Sequence, residues 1–440
     1  MRQLVAILAA LLISGTASFA QKGPWSLSDC ISYALEHNLT LQQSGLTVQQ
    51  REVELETAKG RRLPDLSARA SENLSFGRGL TADNTYSNSN TTSTSFSLGT
   101  DVPIFQGFDI TNGIKLGKLN LDAATADLEK ARDDIRVGVA QAYVQILYNQ
   151  EILRAASAQV EHDAALLEQV RERCTAGKVS QAEVSAQQAT LAQSRQSEIQ
   201  ADGNLKVSIL ELTQLLELPS PEGFSIVSPE VGDLSQVLLM RPEAIFAEAV
   251  EMKPAVESAK IGVDYAKVSV DKAKGAFMPS LSLSGGLGTN YYTNSKMASS
   301  SFGEQLKNNF SQYVGLSLNI PIFQRFSARG QLKSAQITYQ DRQIQLESVK
   351  KSLYKEIQQA YYNALNAQAR YTGSDESARS ALEHYQLTEE KYKVGKAGIA
   401  DYNDARNSWL RAESEHIQAR YQCLYQIKLL DFYRGEELNF

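Results

Sequence analysis

The most constraining feature of the chain is a seven-residue stretch that it contains twice. The stretch VPIFQGF occupies residues 102–108, and IPIFQRF occupies residues 320–326, 218 positions later. Two further pairs keep this offset: VAQAYVQ at 139–145 with IQQAYYN at 357–363, and CTAGKVS at 174–180 with YKVGKAG at 392–398. The sequence therefore predicts two copies of one long structural unit, residues 21–225 and 226–440, and not a solenoid of short repeats.

The first twenty residues are interpreted as a secretory signal peptide. An apolar run from Leu4 to Ile13 follows Arg2, and Ser18-Phe19-Ala20 provides a cleavage site of small residues. A retained anchor is the weaker alternative, because the run is shorter than the ~20 residues that a membrane-spanning helix needs. We therefore expect an exported protein from which residues 1–20 are removed.

Each repeat contains two segments in which apolar and polar residues alternate strictly. Strict alternation predicts strands with one apolar face and one polar face. Each run lasts ~10–12 residues, the length that a tilted strand needs to cross a bilayer. We predict strand hairpins at about 64–103 and 279–321, with a polar loop at 82–93 in the first. Pro103 and Pro321 should end the ladder pairing, because proline has no N–H.

The remainder of each repeat predicts long helices. Residues 109–176 contain no proline, and good helix formers dominate them. We predict helices at about 26–62 and 107–217 in the first repeat and at about 242–276 and 325–433 in the second. Glycine turns at Gly177 and at Gly395–Gly398 should reverse the long helices, which would then pack as antiparallel coiled coils.

Composition excludes several classes of protein. A formal net charge of −6 argues against a nucleic-acid partner. The four histidines lack the spacing of metal ligands, and the three scattered cysteines do not form a disulfide framework. The sequence contains no nucleophile elbow and no redox cysteine pair. We therefore predict a protein that is not an enzyme and that has no cofactor and no metal site.

Four strands per chain set a requirement for assembly. Open sheet edges are not tolerated in lipid, so a membrane-spanning sheet must close on itself. Bacterial single-chain barrels start at about 8 strands. Several copies of this chain must therefore share one barrel.

The chain resembles the TolC-like outer-membrane efflux channels over its whole mature length. The resemblance is carried by the duplication, by the proline-bounded strands and by the segment YKVGKAGIADYNDA at 392–405. It implies a mainly α chain with membrane β-strands and the tandem-duplicated TolC-like fold. It also implies a homotrimer with a twelve-stranded barrel in outer-membrane lipid and a helical tunnel in the periplasm. The implied function is a passive, gated exit duct that works with a periplasmic adaptor protein and an inner-membrane transporter.

The resemblance also implies a gate at the periplasmic end of the tunnel. Asp401 and Asp404 match acidic residues that form rings inside the tunnel, and their spacing of three places both carboxylates on one helix face. Three chains would then give two rings of carboxylates, which attract cations. Pairs of solvated surface acids are the alternative interpretation.

A closing link and a docking surface complete the implied site. Tyr392 matches the tyrosine of a link between coiled coils, and Glu183 stands where its acidic partner is expected. Ala397 replaces the usual basic residue of this link, and Lys396 is the possible substitute. The tips implied to meet the adaptor comprise Gly177, Lys178, Val179, Gly395, Ala397 and Gly398.

Two other functions remain open from the residues alone. An exported coiled-coil scaffold or adhesin would carry its strands in a soluble domain and would lack a lipid-facing surface. An autonomous porin would conduct constitutively and would have no use for the long helices.

Overall fold

The structure is a computed structural model that describes residues 23–80, 84–229 and 232–439. The predicted signal peptide, residues 1–20, lies outside the described residues. The elements follow one another in the order α1 Leu27–His37, α2 Leu39–Gly60, β1 Ser67–Leu80, β2 Tyr86–Gln106, α3 Asp109–Thr175, α4 Gln181–Leu215, α5 Pro242–Met252, α6 Pro254–Gly275, β3 Ser280–Asn294, α7 Phe302–Asn308, β4 Ser311–Asn319, α8 Ser327–Lys393 and α9 Ile399–Tyr433. The prediction of a mainly α chain with four strands is confirmed.

The chain divides into two compact units. The first unit, called the helical unit, comprises the described residues up to Gly45, Leu128–Val256 and the chain from Lys350 onward. The second, called the sheet unit, comprises Leu46–Asp127 and Glu257–Val349. Each unit therefore contains residues from both sequence repeats.

A buried apolar core stabilises the helical unit. The core of this unit is formed by side chains from α1, α3, α4 and α9, among them Cys30, Val139, Leu212 and Cys423. The Tyr143 hydroxyl donates to the backbone carbonyl of Val227 at 2.6 Å, and this bond fixes the connection between the repeats against α3. Since Cys30 is fully buried, desolvation raises the pKa of its thiol to about 12.

The sheet unit holds one antiparallel four-stranded sheet in the order β1-β2-β3-β4. Its register pairs Ser67 with Gly99, Leu98 with Leu287 and Leu283 with Leu316. Since partners across a ladder point to the same side, the apolar positions of the four strands share one face. Val314 on this face is 82% exposed, so the single chain leaves the apolar face uncovered.

Two sequence-based expectations about β2 are wrong. The predicted loop at 82–93 is shorter, because β2 begins at Tyr86 and pairs with Leu80 of β1. The threonines and the tyrosine in this segment favour a strand, although its polarity suggests a loop. Pro103 does not end the strand: the register shifts between Pro103 and Phe105, and pairing continues to Gln106. A bulge tolerates a proline that has no N–H to donate.

The repeated heptapeptide forms a left-handed turn between the strand and the long helix. Gly107 and Phe108 have φ of 57° and 64°, and the matching Arg325 and Phe326 have φ of 48° and 63°. In the first copy Phe105 and Phe108 pack edge to face with ring centroids 5.3 Å apart. Two successive left-handed residues turn the chain sharply, which explains why this sequence occurs at both junctions.

Candidate functional site

The first helical hairpin reverses at a turn whose hydrogen bonds define a Schellman motif. Gly177 has φ of 72°. Its N–H donates to the carbonyl of Cys174 at 2.9 Å, and the N–H of Lys178 donates to the carbonyl of Arg173 at 2.9 Å. These two bonds satisfy carbonyls at the end of α3 and require a left-handed residue, which glycine accepts without strain.

The second hairpin reverses with the same geometry. Gly395 also has φ of 72°. Its N–H donates to the carbonyl of Tyr392 at 3.1 Å, and the N–H of Lys396 donates to the carbonyl of Lys391 at 2.8 Å. The duplicated sequence therefore produces two tips with the same turn geometry.

An acidic residue caps the returning helix at each tip. Ser180 and Glu183 form a capping box at the start of α4, in which the Glu183 carboxylate accepts the Ser180 N–H at 3.4 Å. At the start of α9 the Asp401 carboxylate accepts the N–H of Gly398 at 3.1 Å. Both carboxylates thereby satisfy donors at helix N-termini, where negative charge is stabilising. This capping role of Glu183 and Asp401 is additional to the predicted gate roles.

The predicted tip residues divide into exposed and packed side chains. Lys178 and Lys396 are exposed, as is Asp404 in the first turns of α9. Val179 and the matching Ala397 are partly buried and pack on an apolar cluster beneath the turns. This cluster, called the tip cluster, consists of the buried residues Leu166, Leu167, Val170, Val184, Leu191, Tyr385, Tyr392 and Tyr402. The tip cluster contains side chains from α3, α4, α8 and α9, so it joins the two hairpins.

Tyr392 lies buried within the tip cluster. Its ring is 5.1 Å from that of Tyr402, and the guanidinium of Arg173 stands 5.2 Å from its ring centroid. Burial raises the pKa of Tyr392, Arg173 opposes this, and Glu183 raises it further. Among the described residues the Tyr392 hydroxyl has no hydrogen-bond partner, so Glu183 acts on it through charge and not through a direct bond.

A buried ion pair that the sequence analysis did not identify joins the two hairpins farther from the turns. Asp163 of α3 is 0% exposed and Arg406 of α9 is 2% exposed, and both guanidinium Nη atoms donate to the carboxylate. The carboxylate also accepts from Gln159 at 2.8 Å and from Ser194. Asp163 thus has several donors, as a buried charge requires.

A second polar group lies beside this ion pair. His162 Nε2 is 2.7 Å from the hydroxyl of Tyr402, which lies 3.0 Å from the hydroxyl of Tyr385. Burial lowers the pKa of His162, and the charge of Arg406 lowers it further. Both effects favour the neutral form of the imidazole between the hairpins. We call these five residues, Asp163, Arg406, His162, Tyr385 and Tyr402, the buried network.

Helical periodicity contains the signal for the ion pair. Arg406 occupies the apolar stripe of α9 that includes Tyr402, Ala405 and Trp409. Asp163 likewise falls between Val160, which packs against the tip cluster, and Leu167, which belongs to it. Opposite charges at two core positions indicate a buried pair, but the periodicity of one helix does not show which partner it meets.

No group of three or more metal-binding side chains occurs within residues 23–80, 84–229 and 232–439. Among the helices that the structure describes, none is long and apolar enough to cross a membrane.

Comparison with known proteins agrees with the architecture. Residues 30–217 and 246–435 match the family described as "Outer membrane efflux protein". The chain is 26% identical to outer membrane protein TolC of Escherichia coli strain K12 over 441 residues, which cover 96% of this chain and 84% of TolC. It is 24% identical to the pyoverdine export outer membrane protein OpmQ of Pseudomonas putida over 353 residues, 76% of this chain and 69% of OpmQ.

The fold is also that of a solved channel. The crystal structure of the outer membrane protein VceC from Vibrio cholerae superimposes with a TM-score of 0.75 at 19% identity, covering 94% of this chain and 95% of VceC. The resemblance inferred from the sequence is confirmed. The family match extends over most of the chain, and the chain therefore belongs to the outer membrane efflux protein family, whose members are outer-membrane channels with helices that extend into the periplasm.

Proposed function

We propose that this chain is the passive, gated exit duct of a tripartite efflux or secretion system, assembled as a homotrimer. The observation that carries the proposal is the sheet, which has an uncovered apolar face. Within the described part of the chain, its edge strands β1 and β4 each pair on one side only. In a bilayer those edges need partners, because lipid offers no hydrogen bonds. Three copies supply twelve strands, above the minimum of about 8 for a bacterial barrel.

A trimer also gives the long helices a role in the channel. When the sheet closes into a barrel, the hairpins of the three chains stand side by side in the periplasm and enclose a tunnel. The tunnel needs no catalytic group, and family members are channels and not enzymes. Its cargo is driven by partners, which we propose to be a periplasmic adaptor and an inner-membrane transporter.

The two tips are the proposed docking surface for the adaptor. Gly177 and Gly395 give both turns the same backbone geometry, so a trimer presents six equivalent turns. The exposed Lys178 and Lys396 give each turn a positive charge. Val179, Ala397 and Gly398 complete the surface. This arrangement suits an adaptor that approaches as repeating acidic or polar hairpins.

The proposed gate consists of Asp401 and Asp404, with Tyr392, Glu183 and Lys396 closing the tips. Both aspartates are exposed in the single chain, so their charges are available to line a tunnel. Two rings of three carboxylates would attract cations and bind multivalent ones. Tyr392 and Glu183 lie close enough for charge coupling, which supports a link that tightens or loosens when hairpins move.

The assembly is tested by fractionation. The full chain is expressed with its leader, outer membrane is separated from periplasm, and the mass of the detergent-extracted particle is measured. We expect an outer-membrane particle near three times 48.4 kDa, less the leader. A soluble monomer or dimer in the periplasm would refute the duct and favour the scaffold.

The gate is tested by single-channel recording in planar bilayers. Asp401→Asn with Asp404→Asn removes both charges and leaves an oxygen at position 401 to cap α9. We expect lower cation selectivity and weaker block by multivalent cations. Glu172→Gln is the matched control, because Glu172 is an exposed carboxylate near the first tip that has no role in the proposed gate. Unchanged selectivity in the double variant would exclude these two residues as the rings.

A further inference from the structure

The connection between β3 and β4 contains a short helix beside the part of β3 that β4 does not reach. β4 pairs with β3 only between Ser280 and Gly288 of β3. Beyond Gly288, β3 continues to Asn294 and pairs with β2 on its other side. Helix α7, Phe302–Asn308, packs against this outer part of β3.

Side chains of α7 and of the residue that follows it satisfy the backbone of β3 much as a strand would. The amide of Gln305 accepts the N–H of Tyr292 at 2.9 Å and donates to the carbonyl of Tyr292 at 3.0 Å. Asn309 donates to the carbonyl of Asn290 at 2.7 Å. Since polar backbone groups at a sheet edge need partners, these bonds fix α7 on the sheet.

The ring and hydroxyl contacts of α7 identify the face of the sheet on which it lies. The ring of Phe302 packs on that of Tyr291 with centroids 4.9 Å apart, and the Thr289 hydroxyl donates to the carbonyl of Leu306 at 2.7 Å. Thr289 and Tyr291 have the same parity as Leu287 and point to the same side of β3. Helix α7 therefore lies on the apolar face.

The position of α7 along the strand coincides with the end of the apolar stretch. On this face of β3 that stretch runs from Leu281 to Leu287, about 20 Å along the strand. A barrel presents an apolar band about 25 Å tall, flanked by aromatic side chains. Thr289 and Tyr291 follow directly after the stretch, at the hairpin end of the strands. The opposite ends of the strands connect to the long helices, so the hairpin end faces the exterior.

We propose that α7 is an interfacial anchor that binds the outer surface of the lipid bilayer around the barrel. The inference rests on the membrane barrel proposed above. Phe302, at the start of α7, is 46% exposed, and Phe310, directly before β4, is 56% exposed. The exposed cations Lys296 and Lys307 accompany them. Aromatic rings with flanking lysines are the composition that settles at the boundary between acyl chains and phosphate headgroups.

Helix α7 is continuous with the apolar face of the sheet, which favours lipid over a second copy of the chain as the molecule that contacts it. A neighbouring copy reaches the sheet through the free edge of β4, whereas Phe302 and Leu306 contact β3 on the face that would meet lipid. Helix α7 thus extends the lipid-facing surface outward and covers a sheet edge at the same time.

Tryptophan fluorescence in vesicles of phosphatidylcholine with brominated acyl chains tests the inference. The full chain carries Trp25→Phe and Trp409→Phe, so that one new tryptophan reports alone. Phe302→Trp is the test position, and Leu316→Trp on the apolar face of β4 is the positive control. Tyr292→Trp is the negative control, since Tyr292 points to the opposite face of β3 from Tyr291.

We expect Phe302→Trp to be quenched within about twofold of Leu316→Trp, and more strongly by bromines near the headgroup than by deep ones. Tyr292→Trp should be quenched little. Quenching at Leu316→Trp without quenching at Phe302→Trp would overturn the anchor and leave the barrel intact. An unquenched, blue-shifted Phe302→Trp would show that another copy covers α7, which also overturns the lipid assignment. Absence of quenching at both positions would refute the barrel itself and the anchor with it.

A second variant separates lipid contact from folding. Gln305→Ala in the Phe302→Trp chain removes both bonds to Tyr292 and leaves the sheet pairing of β3 with β2 unchanged. We expect reduced quenching at position 302 with unchanged quenching at Leu316→Trp. Undiminished quenching at position 302 would contradict the role of Gln305 in holding α7 at the bilayer surface.

Discussion

Breaking the Asp163–Arg406 pair should destabilise the packing between the two hairpins, and the loss of stability should depend on which partner is removed. Removal of one partner of a buried ion pair costs about 3–5 kcal/mol, because the other charge remains buried without compensation. In Arg406→Met the Asp163 carboxylate keeps donors from Gln159 and Ser194, so the cost should lie near 3 kcal/mol. In Asp163→Leu the guanidinium loses the acceptor of both Nη atoms, and Nε already has no partner among the described residues. That cost should lie near 5 kcal/mol.

The double variant Asp163→Leu with Arg406→Met should be more stable than either single variant. Replacement of a whole buried pair by apolar side chains is often neutral or stabilising, because no charge remains to be desolvated. The interaction free energy between the two substitutions is then large, and its sign is opposite to that of the stability changes in the single variants.

Amide hydrogen exchange followed by mass spectrometry measures these effects locally. A loss of about 3 kcal/mol in opening free energy lowers protection roughly 10²-fold in the segments around residues 159–167 and 402–410. The control is Lys206→Met, which removes an exposed ion pair with Asp202 at 2.7 Å. Exposed pairs contribute about 0–1 kcal/mol, so protection should change less than about fivefold. Additive losses in the double variant, or equal effects of Arg406→Met and Lys206→Met, would refute the reasoning.

Three further predictions concern the tips and the sheet junction. Since burial and Arg406 depress the pKa of His162, the unfolded segment binds the proton more readily, so hydrogen-exchange protection at the tip cluster should be full above pH 6.5 and fall as the pH drops below it. His162→Gln should remove this pH dependence, and its persistence in the variant would exclude His162 as the source. Gly107→Ala should lower the yield of folded protein, because the residue has φ of 57° and a Cβ would lie 2.4 Å from the carbonyl oxygen of Gly275. Gly138→Ala, in open space within a helix, should be neutral or stabilising, and equal yields of the two variants would contradict the close approach. Gly395→Ala should cost about 1 kcal/mol for a left-handed alanine and accelerate protease cleavage at the second tip, and unchanged cleavage rates would show that the turn tolerates a side chain.

The repeat and the periodicities predict much of the fold because both are local properties of the sequence. The 218-residue offset identifies two equivalent junctions, and the structure forms the same left-handed turn at Gly107–Phe108 and Arg325–Phe326. The alternation of residues in β1, β3 and β4 identifies strands that pair as one sheet. Helix formers without proline identify α3 and α8, which are continuous from the junction to the tip.

The expectations that failed depend on partners distant in the sequence. The polar composition of the segment from Tyr86 predicts a loop, but β1 is long enough to pair with this segment as a strand. Pro103 reads as a strand end, but β3 accommodates it opposite a bulge. The contact between Gln305 and the backbone of Tyr292 has no signal in the sequence, because only the folded sheet brings the two residues together. The roles proposed for Asp401 and Asp404 depend on two further copies of the chain and stay predictions.

The buried ion pair also bears on why the two repeats occupy one polypeptide. At the 218-residue offset, the position that matches Asp163 is Ala381, and the position that matches Arg406 is Gln188. Neither half can therefore form this pair with another copy of itself. Six identical half-chains, which would satisfy the pseudo-symmetry of the tips, would bury either six carboxylates or six guanidinium groups without a counter-charge. The duplicated halves have become obligate complements, and separate expression of either half should yield a chain that further copies of the same half cannot rescue.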